Sequence, residues 1–198
     1  MKNHIKSYTD KLIQTLHSDT MYQVQALGEA LLDAWISQRC IYLCGNGGSA
    51  GNAIHLANDL LYGVGINKGI GMKVEALSAN SAVLTCLAND IGYDRIYAEQ
   101  LRVKANSGDV LIVLSGSGNS SNIVSALEMG NSLGMKTFAL LGFSGGKCKE
   151  IAQNPIHFKV DDMQIAEDLQ LIVGHICMQW LCQATSAVND QVTPSFMK

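Results

Sequence analysis

The chain has 198 residues, 47% of them hydrophobic and 16% charged, the balance of a globular domain with a substantial core, which excludes a disordered chain. Its net charge of -3, with no lysine and arginine run interleaved with aromatics, excludes the usual nucleic-acid footprint.

In chain order, apolar residues recur at three- and four-residue intervals over 5–16 and 21–35, which predicts two N-terminal helices with one buried face each. The first is amphipathic and lacks the apolar core of a secretion signal. No apolar run is long enough to span a bilayer, so the expectation is a cytoplasmic protein without membrane association. CIYLCG reads as a short buried strand, the segment from Ser49 to about Tyr62 as a helix, and GMKVEALS as a second strand. Helical patterns follow over 80–88 and 94–105, broken by NDIGYD. Then GDVLIVLSGSGNSSNIVSALEMGNSLGMKTFALLG gives a strand over 110–114, a Gly/Ser turn, a helix over 121–133 and a strand over 136–141. Strand, helix and strand at this length form a βαβ unit, hence a parallel sheet with a right-handed crossover. NPIHFKV is a last short strand, and 164–183 is a long terminal helix.

With two prolines and no low-complexity linker, the reading is a single α/β domain over 1–198, divided into N-terminal helices (1–38), an α/β core (40–160) and the C-terminal helix. Helices outside a complete layer need cover for their apolar faces, and a partner subunit is one source of it. The six cysteines (Cys40, Cys44, Cys86, Cys148, Cys177, Cys182) form no CxxC pair and sit mostly in apolar stretches, so they read as reduced core residues.

Two strand-to-helix turns carry the chemistry. GNGGSA fits a dinucleotide fingerprint formally, but the acidic residue expected about 20 residues later is missing, Glu75 lying farther along. SGSGNSS occupies the same place in the second junction. There Ser115, Ser117, Ser120 and Ser121 set hydroxyls beside the N–H groups of a helix N-terminus, where the dipole favours an anion. A helix cap explains one serine; four without a lysine suit a phosphate monoester. His55 and Asp59, at i and i+4, share a helix face. His175 lies among apolar residues, where a satisfied core histidine is the ordinary expectation, and Glu167, eight residues earlier, is about 80° away around the helix.

CGNGGSA, ANDIGYD, GDVLIVLSGSGNSSNIVSAL and GMKTFALLG, in this order and spacing, resemble the sugar isomerase (SIS) domain family, and within it the phosphoheptose isomerases. The resemblance covers nearly the whole chain. It implies a three-layer, flavodoxin-like parallel sheet with extra terminal helices, assembled as a homotetramer, acting on sedoheptulose 7-phosphate for surface-glycan synthesis. It places Asn46, Gly47 and Ser49 near the sugar, Ser115, Gly116, Ser117 and Ser120 at the phosphate, and Asn89 and Asp90 at the substrate. It also implies one zinc ion per subunit on His55, Asp59, Glu167 and His175, with Asp59 as general base, His175 as its acid/base partner and Glu167 also at the substrate.

Here Asp59 replaces the family's glutamate and Glu167 its glutamine, LLYGVG lacks the family's arginine, and MQIAED replaces its arginine-containing entry to the last helix. The alternatives are an isomerase of another phosphosugar, or a non-catalytic SIS protein that binds a partner such as a replication initiator. Retention of His55, a carboxylate at 59 and His175 favours catalysis. A sugar-phosphate sensor would need a DNA-binding helix-turn-helix for which this chain has no room.

Overall fold

The computed structural model describes residues 1–64 and 71–191, with side chains through Ser186. Its sheet is built from β1 (Ile41–Gly45), β2 (Val74–Ala76), β3 (Val110–Ser115), β4 (Lys136–Leu141) and β5 (Asn154–His157), in the order β2-β1-β3-β4-β5. Every pairing is parallel, as the βαβ pattern requires. β1 and β3 are buried along their whole length, as strands covered by helices on both faces must be.

The helices are α1 (Lys2–Leu16), α2 (Gln23–Ile36), α3 (Gly48–Asn58), α4 (Ser81–Asp90), α5 (Ala98–Lys104), α6 (Ser121–Ser132), α7 (Gly146–Ile151) and α8 (Met163–Gln191). Alternate strand residues feed two cores. Ile41, Leu43, Ile112, Leu114 and Leu140 pack with α2, α3 and α8. Tyr42, Cys44, Leu111, Val113 and Ala139 pack on the other side with α5, α6 and α7. This period of two gives the expected three layers.

The order reverses at β1 and β3, whose neighbours continue in opposite directions. Ligands of open parallel sheets bind at such a switch point, outside the C-terminal strand ends. Gly45 pairs with Leu114, so the glycine turn after β1 and the serine turn after β3 emerge side by side.

Several boundaries depart from expectation. The helix expected from Ser49 to Tyr62 ends as an α-helix at Asn58 and continues through Asp59–Gly63 as a π-helical turn. α4 runs through Asn89 and Asp90, and the break falls at Gly92, whose φ of 103° suits glycine. The last strand ends at His157, and α8 extends past Gln183. The sequence pattern gives no sign of α7, and the end of LLYGVG, Gly65, lies outside the described residues. Among the cysteines Cys44, Cys148 and Cys177 are buried, but Cys86 is exposed. It sits on α4, which has no fully buried residue, so an apolar sequence neighbourhood does not place it in the core.

Candidate active site

The turn after β1 opens with Asn46, then Gly47 (φ 56°, ψ -123°) at the cap of α3, a conformation that a side chain would strain. Ser49 is 4% exposed, and its Oγ accepts from Gln170 Nε2 at 3.0 Å. Gln170 Oε1 in turn accepts from Asn52 Nδ2 at 2.9 Å, which also donates to the Glu167 carbonyl at 3.0 Å. The start of α3 is thus bound to α8 by a chain of amides.

In the second turn Ser115 ends β3 and is buried; its Oγ accepts from Gly118 N at 3.1 Å. Ser117 Oγ accepts from Asn119 N at 3.3 Å. These two hydroxyls shape the turn, although each keeps its hydrogen for an anion. Ser120 caps α6 without a side-chain bond to it, and neither Ser120 nor Ser121 has a side-chain partner among the described residues. A Cβ on Gly118, at φ 66°, would overlap the Gly145 carbonyl, so only glycine fits there, whereas one on Gly116 would have to displace the end of the Met163 side chain. Asn89 and Asp90 are exposed and bond to each other (Nδ2 to Oδ1, 2.8 Å), not to either turn among the described residues.

Seven residues beyond Gly48, about 10 Å along α3, stands His55. Its Nε2 is 2.9 Å from His175 Nε2 of α8, with the rings edge to face at 83°. Asp59 Oδ2 lies 3.4 Å from each of these nitrogens. The three donor atoms are within 4.8 Å of one another. Neutral imidazole nitrogens and a carboxylate are borderline zinc ligands, and donors around a tetrahedral Zn²⁺ stand roughly 3.3–3.6 Å apart. The nitrogen-to-oxygen spacings match, and the shorter nitrogen pair is at an ordinary hydrogen-bond distance. These residues fit a divalent ion, with the fourth position left to a ligand.

Glu167 is not part of this group among the described residues. Its carboxylate lies on Gly48 at the N-terminus of α3, where a Cβ would overlap both oxygens. That N-terminus favours an anion. The physical reason for the departure is axial: eight residues span about 12 Å of helix, so a shared face does not bring Glu167 and His175 together.

Sequence reasoning gives no role to Asn122. It is 1% exposed on α6 and exchanges two hydrogen bonds of 2.8 Å with Asn46. Gln170, 2% exposed, is missed likewise. Both are amides at positions where the helical pattern calls for an apolar residue, and that is the available signal.

Two Gly/Ser turns side by side at the switch point of a parallel sheet, with an imidazole and carboxylate cluster farther along the helix that follows the first turn, are the features of a SIS-type protein, and residues 5–142 match the SIS domain family. A phosphoheptose isomerase of Helicobacter pylori strain P12 is 34% identical over 176 residues, covering 89% of this chain and 85% of the relative. One from Akkermansia muciniphila is 39% identical over 136 residues, covering 69% and 71%. The structure of a phosphoheptose isomerase from Francisella tularensis superimposes with a TM-score of 0.85 at 26% identity, covering 91% of this chain and 97% of that one. The chain belongs to the SIS-domain family and, within it, to the phosphoheptose isomerases.

Proposed function

We propose that this chain converts sedoheptulose 7-phosphate into D-glycero-D-manno-heptose 7-phosphate through an enediolate, supplying heptose for surface glycans. The observation that carries the reading is the cluster of His55, Asp59 and His175 beyond the glycine turn. The phosphate would sit against the serine turn, taking hydroxyls of Ser117, Ser120 and Ser121, with Ser115 and Gly116 shaping the turn and the amides at the start of α6 behind them. Asn46, Gly47 and Ser49 would line the sugar, and Glu167 would accept from its hydroxyls. Asn89 and Asp90 would approach from the end of α4.

Asp59 directs Oδ2 toward both imidazoles, leaving Oδ1 for the substrate. Oδ1 takes the proton from C1 of the ketose; the C–H electrons form the C1–C2 double bond, and the carbonyl electrons move onto O2. His175, whose Nε2 faces His55 and Asp59, would give a proton to O2 and take one from O1 at its other ring nitrogen, Nδ1. Return of the first proton from Asp59 to C2 completes the aldose. His55, Asp59 and His175 would hold one zinc ion per subunit, whose chemistry when bound is to polarise the carbonyl oxygen.

The apolar surface of α1, which has no buried residue, together with Ile176 and Trp180 on α8, supports assembly as a homotetramer. Among the described residues no helix is long and apolar enough to cross a membrane. Phosphorylated sugars are retained inside cells, so we place the enzyme in the cytoplasm.

The test is proton NMR of the zinc-supplied protein with sedoheptulose 7-phosphate in D₂O. Aldoheptose signals should appear while the C1 hydrogen signal is lost to exchange. A folded, zinc-supplied protein giving neither would reject this substrate.

A further inference from the structure

Asn46 leaves the end of β1 for the glycine turn, and Asn122 is the second residue of the helix that follows the serine turn. Their carboxamides form a reciprocal pair: Asn46 Nδ2 donates to Asn122 Oδ1 and Asn122 Nδ2 donates to Asn46 Oδ1, each at 2.8 Å. Asn46 Oδ1 also accepts from Tyr93 OH at 3.1 Å, so both its lone pairs are engaged. The Tyr97 hydroxyl stands 3.4 Å from the same oxygen but gives its hydrogen to the Gly45 carbonyl. What Asn46 has left is one N–H, since Nδ2 carries two hydrogens and Asn122 uses one. Asn46 is therefore fixed as a donor.

We infer that Asn122 is a positioning residue: it locks the Asn46 carboxamide with its free N–H toward a sugar oxygen, and so couples the sugar turn to the phosphate turn. The inference rests on the reading of Asn46 as a sugar-binding residue. The pair holds one orientation, because a flip of one partner alone sets oxygen against oxygen and nitrogen against nitrogen, and a flip of both takes the acceptor away from Tyr93. With the phosphate anchored on the serine turn, this pair sets where the reacting end of the sugar meets a donor.

The variant that tests this is Asn122→Asp, which preserves size. The ionised carboxyl can only accept, so it sets an oxygen against Asn46 Oδ1 in either orientation of that amide; the pair opens and the free N–H of Asn46 loses its fixed direction. The protonated carboxyl donates to Asn46 Oδ1 and rebuilds the pair. Burial and the charge of a phosphate held on the serine turn raise this carboxyl's pKa against the opposing pull of the α6 N-terminus, so the protonated form becomes accessible on mild acidification. The titratable groups facing the site are Cys44, Tyr93 and Tyr97, and burial, then Cys44, keeps Tyr97 un-ionised far above this range.

Relative to wild type at each pH, kcat of Asn122→Asp should be lower by about 100-fold near pH 8 and recover toward about pH 6, the loss expected of a misplaced contact. The dissociation constant of inorganic phosphate, from calorimetry, should stay within about twofold of wild type, since the serine turn is untouched. Asn122→Ala combined with Asn46→Ala should be no slower than Asn46→Ala alone. A kcat ratio independent of pH, phosphate binding weakened as much as turnover, or additive alanine effects would each overturn the inference. Absence of turnover in the wild type would instead reject the isomerase reading. The measured quantity is then the affinity ratio of sedoheptulose 7-phosphate to phosphate, and a ratio unchanged by Asn122→Asp overturns the positioning role.

Discussion

Asp59 serves two imidazoles with one oxygen, and that geometry makes its charge hard to replace. An asparagine in its place would keep the shape, but the amide would present either a neutral oxygen or an N–H to the two nitrogens. Asp59→Asn should therefore lower kcat by about 10²–10⁴-fold and reduce bound zinc, read by turnover and by metal analysis of the dialysed protein. Turnover close to wild type would remove Asp59 from the chemistry. Gly48 gives a second prediction. A side chain there displaces the Glu167 carboxylate, so Gly48→Ala should raise KM for the sugar phosphate at least about tenfold, whereas phosphate affinity stays unchanged. Equal weakening of both would mean that the whole turn had moved. The i, i+4 spacing makes the contact between His55 and Asp59 legible in the sequence. Glu167 is not legible in the same way, because angle around a helix says nothing about distance along it. The amide partners of Asn46 and Ser49 are hidden for another reason: a buried asparagine or glutamine looks polar in sequence until its partner across the fold is known.

At the scale of elements, the strand and helix alternation is readable because β1 and β3 are apolar almost throughout, β4 is apolar from Phe138 on, and α6 carries a full helical period. α7 is not, because its six residues begin at Gly146 and are capped by Gly145, both at positive φ, and two glycines read as loop. The π turn at Asp59–Gly63 is invisible as well, since five residues cannot separate its period from that of an α-helix. Such turns collect at functional sites, and this one begins on the carboxylate of the cluster. The helices that carry the imidazoles meet at Gly174, beside His175, where a Cβ would overlap Leu56 of α3. Gly174→Ala should push α3 and α8 apart, lowering stability by about 1–3 kcal/mol in chemical denaturation. It should lower kcat too, because His55 and His175 sit on the separated helices. A variant as stable and as fast as wild type would show that the helices can slide without altering the cluster.

At the scale of the whole molecule, α1 is held at its inner edge by Tyr8, Leu12 and Leu16 packed against the core and by two polar contacts. Tyr8 OH donates to Asp168 of α8, and Lys11 Nζ bonds Asp162 Oδ2 at 2.9 Å. Tyr8, Leu12 and Leu16 are partly buried, while Ile5 and Ile13 remain 55% and 54% exposed. The hydrogen bond to Asp168 pushes the Tyr8 phenol up from its ordinary 10 to about 12. Its sign follows from the proton: the phenol donates while protonated, so the contact contributes fully below pH 10 and is lost as pH rises through about 12. At the acid end, the bond from Lys11 holds the Asp162 carboxyl below its ordinary value, so this contact contributes above the ordinary carboxyl range and is lost only as pH falls through the lowered value. Between these limits α1 is presented in one orientation with its isoleucines outward. Association through that face requires Ile5→Asp together with Ile13→Asp to lower the mass measured by sedimentation at neutral pH. Tyr8→Phe should leave the neutral-pH mass unchanged and abolish the absorbance step near pH 12 in a spectrophotometric titration. If the aspartates leave the mass unchanged, α1 does not form the interface, and the exposed Ile176 and Trp180 of α8 become the face to substitute.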